Sequence, residues 1–195
     1  MPLTIIPVTT KKEMKQFICF NYALYKDSPY AVPELYTDVR DTLDPNKNAA
    51  FEFCEAQPFI ALRDGMVVGR IVASINHKAN SVWNKKAVRF GWVDFIDDVE
   101  VVDALFATVE QWGRERGMTE AHGPLGFTDF DPEGMLVEGF DRIGTMATIY
   151  NYPYYPVHLA RKGYVNDVDW MEYLLTAPAA LPEKLAGITR VVKEN

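Results

Sequence analysis

His122 is the residue whose type and position best suit proton transfer. It lies at the end of a short strand predicted at 119–123, just before Gly123 and Pro124. Strand ends open onto ligand clefts in many α/β sheets, and imidazole titrates near neutral pH, so we predict that His122 acts as a general base. The alternative is a structural histidine that bonds to the loop backbone.

The segment that follows His122 is rich in glycine and acid. A loop of this length inside a compact domain is usually functional or disordered. Asp129, Asp131 and Glu133 alternate as metal ligands can, but the other ligands and the glycine of a calcium loop are missing, so we predict no metal site. The segment contains Gly123, Gly126, Gly134, Gly139 and Gly144, with Asp129, Asp131, Glu133, Glu138 and Asp141 between them.

The tyrosine-rich segment 150–158 offers further acid–base candidates. Tyr150 could supply a phenol, and His158 could supply a second imidazole. Tyrosines clustered beside prolines are more typical of packing than of chemistry. Both interpretations stay open from the residues alone.

Three carboxylates stand where a strand runs into a helix. The strand predicted around 89–95 is followed by Ile96, Asp97, Asp98, Val99 and Glu100. The free amides at a helix start attract anions. A carboxylate there caps the helix for about 0.5–2 kcal/mol, and it repels a phosphate about 4 Å away by about 1 kcal/mol in water. We therefore expect Asp97 and Asp98 to occupy these amides; a site for a different donor or for a cationic ligand is the alternative.

The elements that position these residues alternate between strands and helices. Thr10 and Glu13 match a capping box, which begins a helix expected to run to about Lys26. Asp64 and Gly65 predict a tight turn between two apolar strands, and Gly117 is suited to end the central helix. Strands are predicted at residues 3–8, 59–62, 66–75, 87–95, 119–123 and 169–175, helices at 10–26, 33–41, 99–116 and from 154, and a polar connection at 76–86. This order predicts one α/β domain with a mixed sheet and helices on both faces.

Composition limits the classes of function. The chain has 195 residues, 48% of them hydrophobic, and a formal net charge of -7, which is ordinary for one globular domain. An acidic chain without a basic patch is not expected to bind nucleic acid. Cys19 and Cys54 lie in unlike sequence contexts and neither has a CxxC partner, which predicts neither a disulfide nor a zinc site and fits a reducing cytoplasm. No stretch approaches the roughly 18 apolar residues of a membrane span, so we expect a cytoplasmic protein.

Three segments together resemble the GNAT superfamily of acyl-CoA N-acyltransferases. They are the hairpin with Val68 and Gly69, the strand and helix at 90–117, and the segment 151–164 with its Arg161-Lys162-Gly163-Tyr164 ending. The resemblance implies a mixed, mostly antiparallel sheet. It also implies acyl transfer to an amine from acetyl-CoA or another acyl thioester. The thioester would bind along Gly91, Trp92, Val93 and Asp94.

Two positions depart from the GNAT pattern. The family holds the CoA diphosphate on a glycine-rich loop, where this chain has the three carboxylates, so the usual diphosphate site is expected to be degenerate. The tyrosine that often protonates the departing thiolate is replaced by Leu159, which leaves Tyr150 and His158 as candidate acids. A non-catalytic module is therefore an alternative, with an apolar or amine ligand in an aromatic cleft. That cleft would be lined by Phe127, Phe130, Phe140 and Tyr150.

Other phrases are similar to a YghO-like bacterial branch of GNAT-like proteins, whose members are generally about twice as long. They are Gly91-Trp92-Val93-Asp94-Phe95 and Gly123-Pro124-Leu125-Gly126-Phe127. The resemblance implies a GNAT-like domain at 1–175, followed at 176–195 by a linker or the start of a further segment. In a third interpretation the chain is a structural half that packs on a second GNAT-like domain or forms a homodimer.

Overall fold

A five-stranded sheet organises the chain, with the strands in the order β1-β2-β3-β4-β5. The computed structural model describes residues 2–145, 148–177 and 179–180. The first four strands pair antiparallel with their neighbours, and β5 pairs parallel to β4. The predicted mixed, mostly antiparallel sheet is therefore confirmed. The strands are β1 (Leu3–Pro7), β2 (Cys54–Arg63), β3 (Met66–Asn76), β4 (Ala87–Phe95) and β5 (Glu120–His122).

Helices cover both faces of this sheet, as predicted. They are α1 (Lys11–Leu24), α2 (Tyr36–Thr42), α3 (His77–Val82), α4 (Val99–Arg114) and α5 (Tyr154–Arg161), with a short 3-10 helix at Ala49–Glu52. One core packs the apolar stripe of α4, including Leu105 and Phe106, against Phe90 and Phe95 of β4. The other packs Phe17 and Val39, from α1 and α2, against Ile60 and Val72.

Local sequence signals set several boundaries. Glu13 accepts hydrogen bonds from the backbone of Thr10 at 2.8 Å, and the Thr10 hydroxyl accepts from Glu13 N at 3.2 Å, which is the predicted capping box. Asp64 and Gly65 both have positive φ, 56° and 76°, as a two-residue hairpin turn requires. Gly117, at φ 78°, follows α4 where a helix-ending glycine was predicted.

Several predicted elements differ from the structure. β2 begins at Cys54 rather than at residue 59, and α2 runs from Tyr36 to Thr42 rather than over 33–41. The first helix ends at Leu24 rather than Lys26, and the polar connection contains the short helix α3. The predicted strand at 169–175 is wrong, because these residues adopt no regular structure. The aromatic side chains of Trp170 and Tyr173 favour a strand, but a strand also needs a neighbour for its N–H and C=O groups. Among the described residues none of the five strands pairs with this segment.

Two further expectations concern a membrane span and the tail. Within the described ranges, no helix combines the length and the apolar character that crossing a bilayer requires. Most of the segment 176–195, predicted as a linker or the start of a further segment, lies outside the described residues.

Candidate active site

A β-bulge interrupts β4 in the middle of the sheet. Val72 pairs with Gly91 and Arg70 pairs with Asp94, so Trp92 and Val93 together face a single residue of β3. Trp92 has a φ of 42°, a conformation that non-glycine residues rarely adopt. Such bulges re-aim side chains and often lie beside active sites. This bulge falls inside the segment predicted to bind the thioester.

The strands β4 and β5 pair only over three residues and then separate. Arg89 pairs with His122, which is the last pair of the ladder. Beyond it, Leu125 N donates to the Phe90 carbonyl at 2.8 Å. A Cβ on Gly91 would overlap the Leu125 carbonyl oxygen, so the loop and the strand approach each other closely only because residue 91 is glycine. The start of the space between β4 and β5 is thus filled by the loop after β5.

Helix α5 closes the other end of this space through two tyrosines. Tyr154 Oη donates to the Phe95 carbonyl at 2.7 Å, and Phe95 N donates to Tyr155 Oη at 3.2 Å. The Tyr155 ring also stacks on Phe95, with 4.2 Å between the ring centroids. Phe95, the last residue of β4, pairs with Gly69 of β3 on one edge. On its other edge it is held by side chains of α5 instead of by a strand.

A buried ion pair lies next to the bulge. Arg70 Nε donates to Asp94 Oδ2 at 2.6 Å, and the two side chains are 3% and 5% exposed. Asp94 also accepts from Asn21 Nδ2 at 3.0 Å, Tyr25 Oη at 3.0 Å and Tyr155 Oη at 3.2 Å. Burial raises the pKa of Tyr25 and of Tyr155, so both phenols remain protonated donors. The carboxylate of Asp94 is thus fully used inside the protein.

The start of α4 is closed by one of the two predicted carboxylates. Asp98 Oδ1 accepts from Val101 N at 3.2 Å, as an N-cap does. Arg63 donates to Asp98 Oδ2 at 2.6 Å and to Glu100 Oε2 at 2.7 Å. Hydrogen bonding to Arg63 holds the pKa of Asp98 below its usual value. The sequence-based expectation is confirmed for Asp98, whose carboxylate caps the helix and places its negative charge at the helix start.

For Asp97 the same expectation is wrong. Its carboxylate lies 2.7 Å from His158 Nε2 on α5, away from the helix amides. A carboxylate only accepts hydrogen bonds, so Nε2 carries the proton. His158 is buried, and its Nδ1 has no hydrogen-bond partner among the described residues. Asp97 ties α5 to the junction between β4 and α4.

The three predicted acid–base residues lie in different places. His122 Nε2 is 3.1 Å from Asp167 Oδ2, at the Arg89 end of β4. The His158 ring packs edge-on against Phe95, at the other end. Six residues of strand separate the two ends, about 20 Å at the usual rise of a strand. The structure does not bring the two histidines together.

Tyr150 is partly buried against the core that contains α4. Its hydroxyl donates to the Phe140 carbonyl at 3.2 Å, and its ring packs edge-on against Tyr25. Phe127 belongs to the opposite core, against Phe51 and Trp92. Phe130 is 100% exposed. The predicted aromatic cleft of Phe127, Phe130, Phe140 and Tyr150 therefore does not form as one surface.

Glu34 is a functional candidate that sequence reasoning missed. It lies in the irregular segment between α1 and α2, where the Tyr22 hydroxyl donates to its carbonyl at 2.7 Å. Burial is the main cause that raises the pKa of its carboxyl group, and the Trp92 indole and Arg70 are neighbours that oppose the rise. No local pattern marks such a residue, because its neighbours come from β3 and β4. Within the described ranges, no cluster of His, Cys, Asp or Glu could hold a metal ion.

Solved structures with the same fold show what this arrangement is similar to. A tandem GNAT protein from the clavulanic acid biosynthesis pathway matches with a TM-score of 0.55 at 14% identity, over 83% of this chain and 43% of that one. The protein AAC(6')-Iy, in complex with the bisubstrate analogue CoA-S-monomethyl-acetylneamine, matches with a TM-score of 0.53 at 14% identity, over 91% of this chain and 100% of that one. This chain has the GNAT fold. Another match is a predicted acetyltransferase of Clostridium acetobutylicum, whose structure contains acetyl-CoA. It has a TM-score of 0.53 and 7% identity, over 89% of this chain and 96% of that one.

Curated relatives confirm the resemblance to the YghO-like branch of this GNAT fold. Protein YghO of Escherichia coli is 32% identical over 187 residues, which is 93% of this chain and 48% of the relative. A bacterial ceramide synthase of Caulobacter vibrioides is 32% identical over 182 residues, 93% of this chain and 47% of the relative. The chain thus spans about half the length of these two relatives. No family model matches the chain.

Proposed function

We propose that this chain transfers an acyl group from a thioester to an amine. The observation that carries the proposal is the 32% identity, over 93% of the chain, to a bacterial ceramide synthase. A ceramide is the amide of a fatty acid and a long-chain amino alcohol, so its synthesis forms an N-acyl bond. The GNAT fold, whose superfamily performs acyl transfer, supports the same reaction class.

In this reaction the amine nitrogen attacks the thioester carbonyl carbon and the C–S bond breaks. The nitrogen gives up one proton, and the departing sulfur takes one up. We propose that the thioester lies along Gly91, Trp92, Val93 and Asp94, where the bulge opens β4. The backbone there contributes the binding, since the Asp94 carboxylate is already used by Arg70 and three other groups.

For proton transfer we keep the three predicted residues, each of which has a partner that fixes it. Asp167 orients His122, Asp97 orients His158 and the Phe140 carbonyl holds Tyr150. The separation of the two histidines along β4 assigns them to different ends of the cleft. A single substitution at each position, followed by measurement of kcat against pH, separates a proton-transfer role from a structural one.

The donor that we propose is recognised through its pantetheine arm. Asp98 and Glu100 place negative charge where other GNAT proteins bind a diphosphate, and Arg63 is engaged by both. An acyl carrier thioester, or an acyl-CoA held mainly by the arm, does not need that helix end. Cys19 and Cys54 are both free thiols, and we propose a reducing cytoplasm as the location, since thiols persist there.

A second candidate is a non-catalytic GNAT-like domain that packs against another domain or a second copy. The matching tandem GNAT protein and the half-length coverage of both curated relatives favour it. The apolar side chains exposed between residues 165 and 175 would suit such an interface. They are Val165, Val168, Trp170, Met171, Tyr173, Leu174 and Leu175.

The test incubates the folded chain with a hexadecanoyl thioester and sphinganine and measures the amide by mass spectrometry. Hexadecanoyl-CoA and hexadecanoyl-pantetheine serve as alternative donors, and heat-unfolded protein is the control. Amide formed only by folded protein supports acyl transfer. If neither donor gives amide above the control, the proposed acyl transfer is wrong for this chain and the non-catalytic domain is favoured.

A further inference from the structure

Helix α3 and the turn after it expose a tryptophan beside lysines. No residue of α3 is buried. Val82 is 69% exposed and Trp83 is 73% exposed, and Lys85 and Lys86, which follow within three positions, are exposed as well. Tryptophan is enriched at protein interfaces and at membrane surfaces, where one side of the ring is apolar and the other is wet.

Backbone hydrogen bonds fold these residues into one compact turn. Trp83 N donates to the Ala79 carbonyl at 2.9 Å, and Lys85 N donates to the Asn80 carbonyl at 2.9 Å. The five consecutive exposed residues 82–86 can span at most about 15 Å from the first Cα atom to the last. Their side chains therefore belong to one surface.

Lys78 adds a third lysine to this group. It lies four positions before Val82, and residues four apart share one side of a helix. Its side chain is exposed, with Nζ 5.7 Å from the centroid of the Phe53 ring. We call the group the α3 surface, and its members are Lys78, Val82, Trp83, Lys85 and Lys86.

The α3 surface is positively charged in an acidic chain. The segment 77–86 contains three lysines and no Asp or Glu, whereas the whole chain has a formal net charge of -7. Within the described part of the chain, these lysines take part in no ion pair. Their charges are therefore available to a partner.

Two acids lie beside the α3 surface. Glu120 lines the same open pocket as Lys85 and Lys86. Glu55 lies 3.0 Å from the imidazole of the first residue of α3, and its charge is balanced by Arg116, with 3.0 Å between Nε and Oε2. One unpaired acid against three lysines leaves the local charge positive.

The other exposed apolar segment carries the opposite charge. Residues 165–175 include Trp170, which is 74% exposed. They also contain Asp167, Asp169 and Glu172 and no Lys or Arg. An anionic membrane repels such a segment and attracts a cluster of lysines, so charge distinguishes the two exposed tryptophans.

The α3 surface lies at the end of the cleft where His122 is placed. The Lys86 carbonyl accepts from Thr119 N at 2.8 Å, next to the start of β5. Arg89, which pairs with His122, comes three residues after Lys86, about 10 Å along the strand. A bilayer at the α3 surface would therefore lie close to this end of the cleft.

We propose that the α3 surface binds the anionic surface of a lipid bilayer. The three lysines contact the phosphate groups of the lipids, and Trp83 and Val82 enter the headgroup region between them. This inference goes beyond the proposed acyl transfer and does not depend on it, because exposure and charge alone define the surface.

The experiment measures sedimentation of the protein with lipid vesicles. One set of vesicles contains about one part phosphatidylglycerol to two parts phosphatidylcholine, and the other contains phosphatidylcholine alone. We expect binding to the anionic vesicles at about 0.1 M salt, where the screening length is about 10 Å, and little binding at about 1 M, where it is about 3 Å. Binding to the neutral vesicles should be weak.

Matched variants test the lysines. A lysine near an anionic surface contributes about 1 kcal/mol, or about fivefold in affinity. The double variant Lys85→Gln, Lys86→Gln should therefore weaken binding by at least about tenfold. The control Lys11→Gln, Lys12→Gln makes the same change of charge at exposed lysines of α1 and should stay within about threefold of the wild type.

A second pair of variants tests the tryptophan. Trp83→Ala should weaken binding to the anionic vesicles by at least about fivefold. Trp170→Ala removes an equally exposed indole from the acidic segment and should leave binding within about twofold. Circular dichroism verifies that every variant is folded.

The outcomes separate a membrane from an acidic protein as the partner. Polyglutamate replaces the vesicles in a further titration, and binding to it through Lys85 and Lys86, without binding to vesicles, overturns the proposal in favour of an acidic protein. No vesicle binding by the wild type, or equal losses in the α3 variants and their controls, also overturns it. Amide formation is measured without vesicles, so neither result decides the other.

Discussion

Arg70 and Asp94 form a buried ion pair, 2.6 Å from Nε to Oδ2, across the strands β3 and β4. Asp94 lies two residues after Trp92, at the bulge. The pair therefore fixes the backbone on one side of the proposed reaction centre. Three other donors, from α1, its C-cap and α5, converge on the same carboxylate. The network joins the sheet to both elements that border the cleft.

Removal of one partner should destabilise the fold strongly. We expect Arg70→Met to lower the free energy of unfolding by about 3–5 kcal/mol, because it leaves a buried charge unpaired. The double variant Arg70→Met, Asp94→Leu should cost less than the sum of the single changes. Urea unfolding measures both.

The matched control is the exposed pair Arg161–Asp103, at 2.7 Å. Asp103→Ala should cost about 1 kcal/mol or less. A loss below 1 kcal/mol in Arg70→Met would contradict the importance assigned to the buried pair.

Tyr155→Phe should loosen the end of β4. The change removes the acceptor of Phe95 N and a donor to Asp94, at 3.2 Å each. Leaving a buried amide unpaired costs about 1–3 kcal/mol. Urea unfolding gives the stability, and hydrogen exchange at the Phe95 amide gives the local effect.

The matched control deletes the hydroxyl of Tyr173, which is exposed. Tyr173→Phe should leave both readouts unchanged. If Tyr155→Phe leaves the Phe95 amide as protected as in the wild type, this hydrogen bond does not hold the strand.

Asp98 predicts a loss of stability in acid. Hydrogen bonding to Arg63 holds its pKa below the usual 3.8. A carboxyl group whose pKa is lowered by folding contributes stability above its unfolded pKa, and this contribution is lost as the pH falls through the folded pKa. The free energy of unfolding should therefore fall as the pH is lowered below about 4, since Asp98 must take up a proton in that direction.

Asp98→Asn separates the charge from the cap. Asparagine caps a helix about as well as aspartate does, so the variant should retain most of the stability at pH 7 and show a shallower fall in acid. Asp98→Ala should lose about 0.5–2 kcal/mol. Identical acid profiles for wild-type protein and Asp98→Asn would show that the pair with Arg63 does not contribute.

Sequence patterns predicted the parts of the fold that depend on neighbours along the chain. The capping box at Thr10, the turn at Asp64 and Gly65, and the cap at Asp98 each involve residues within three positions. These are local hydrogen bonds and backbone preferences, so the residue types alone specify them. The order of the predicted elements was then enough to predict a mixed sheet with helices on both faces.

The site depends on contacts between distant residues, which patterns do not record. The bulge at Trp92 is a register shift between two strands, and Asp97 binds His158 across 61 positions of sequence. The Tyr22 hydroxyl donates to the Glu34 carbonyl across 12 positions of sequence. The strand predicted at 169–175 shows the converse, because strand-like residues without a neighbouring edge do not make a strand.

The most direct test of the central claim compares two donors that differ only in the nucleotide. The kcat/KM for amide formation is measured with hexadecanoyl-CoA and with hexadecanoyl-pantetheine, with sphinganine as the acceptor. Because Asp98 occupies the helix end, the two values should agree within about threefold, or roughly 0.7 kcal/mol. A preference for the CoA thioester of about 100-fold, equivalent to about 2.7 kcal/mol, would show that the diphosphate is bound and would contradict the account.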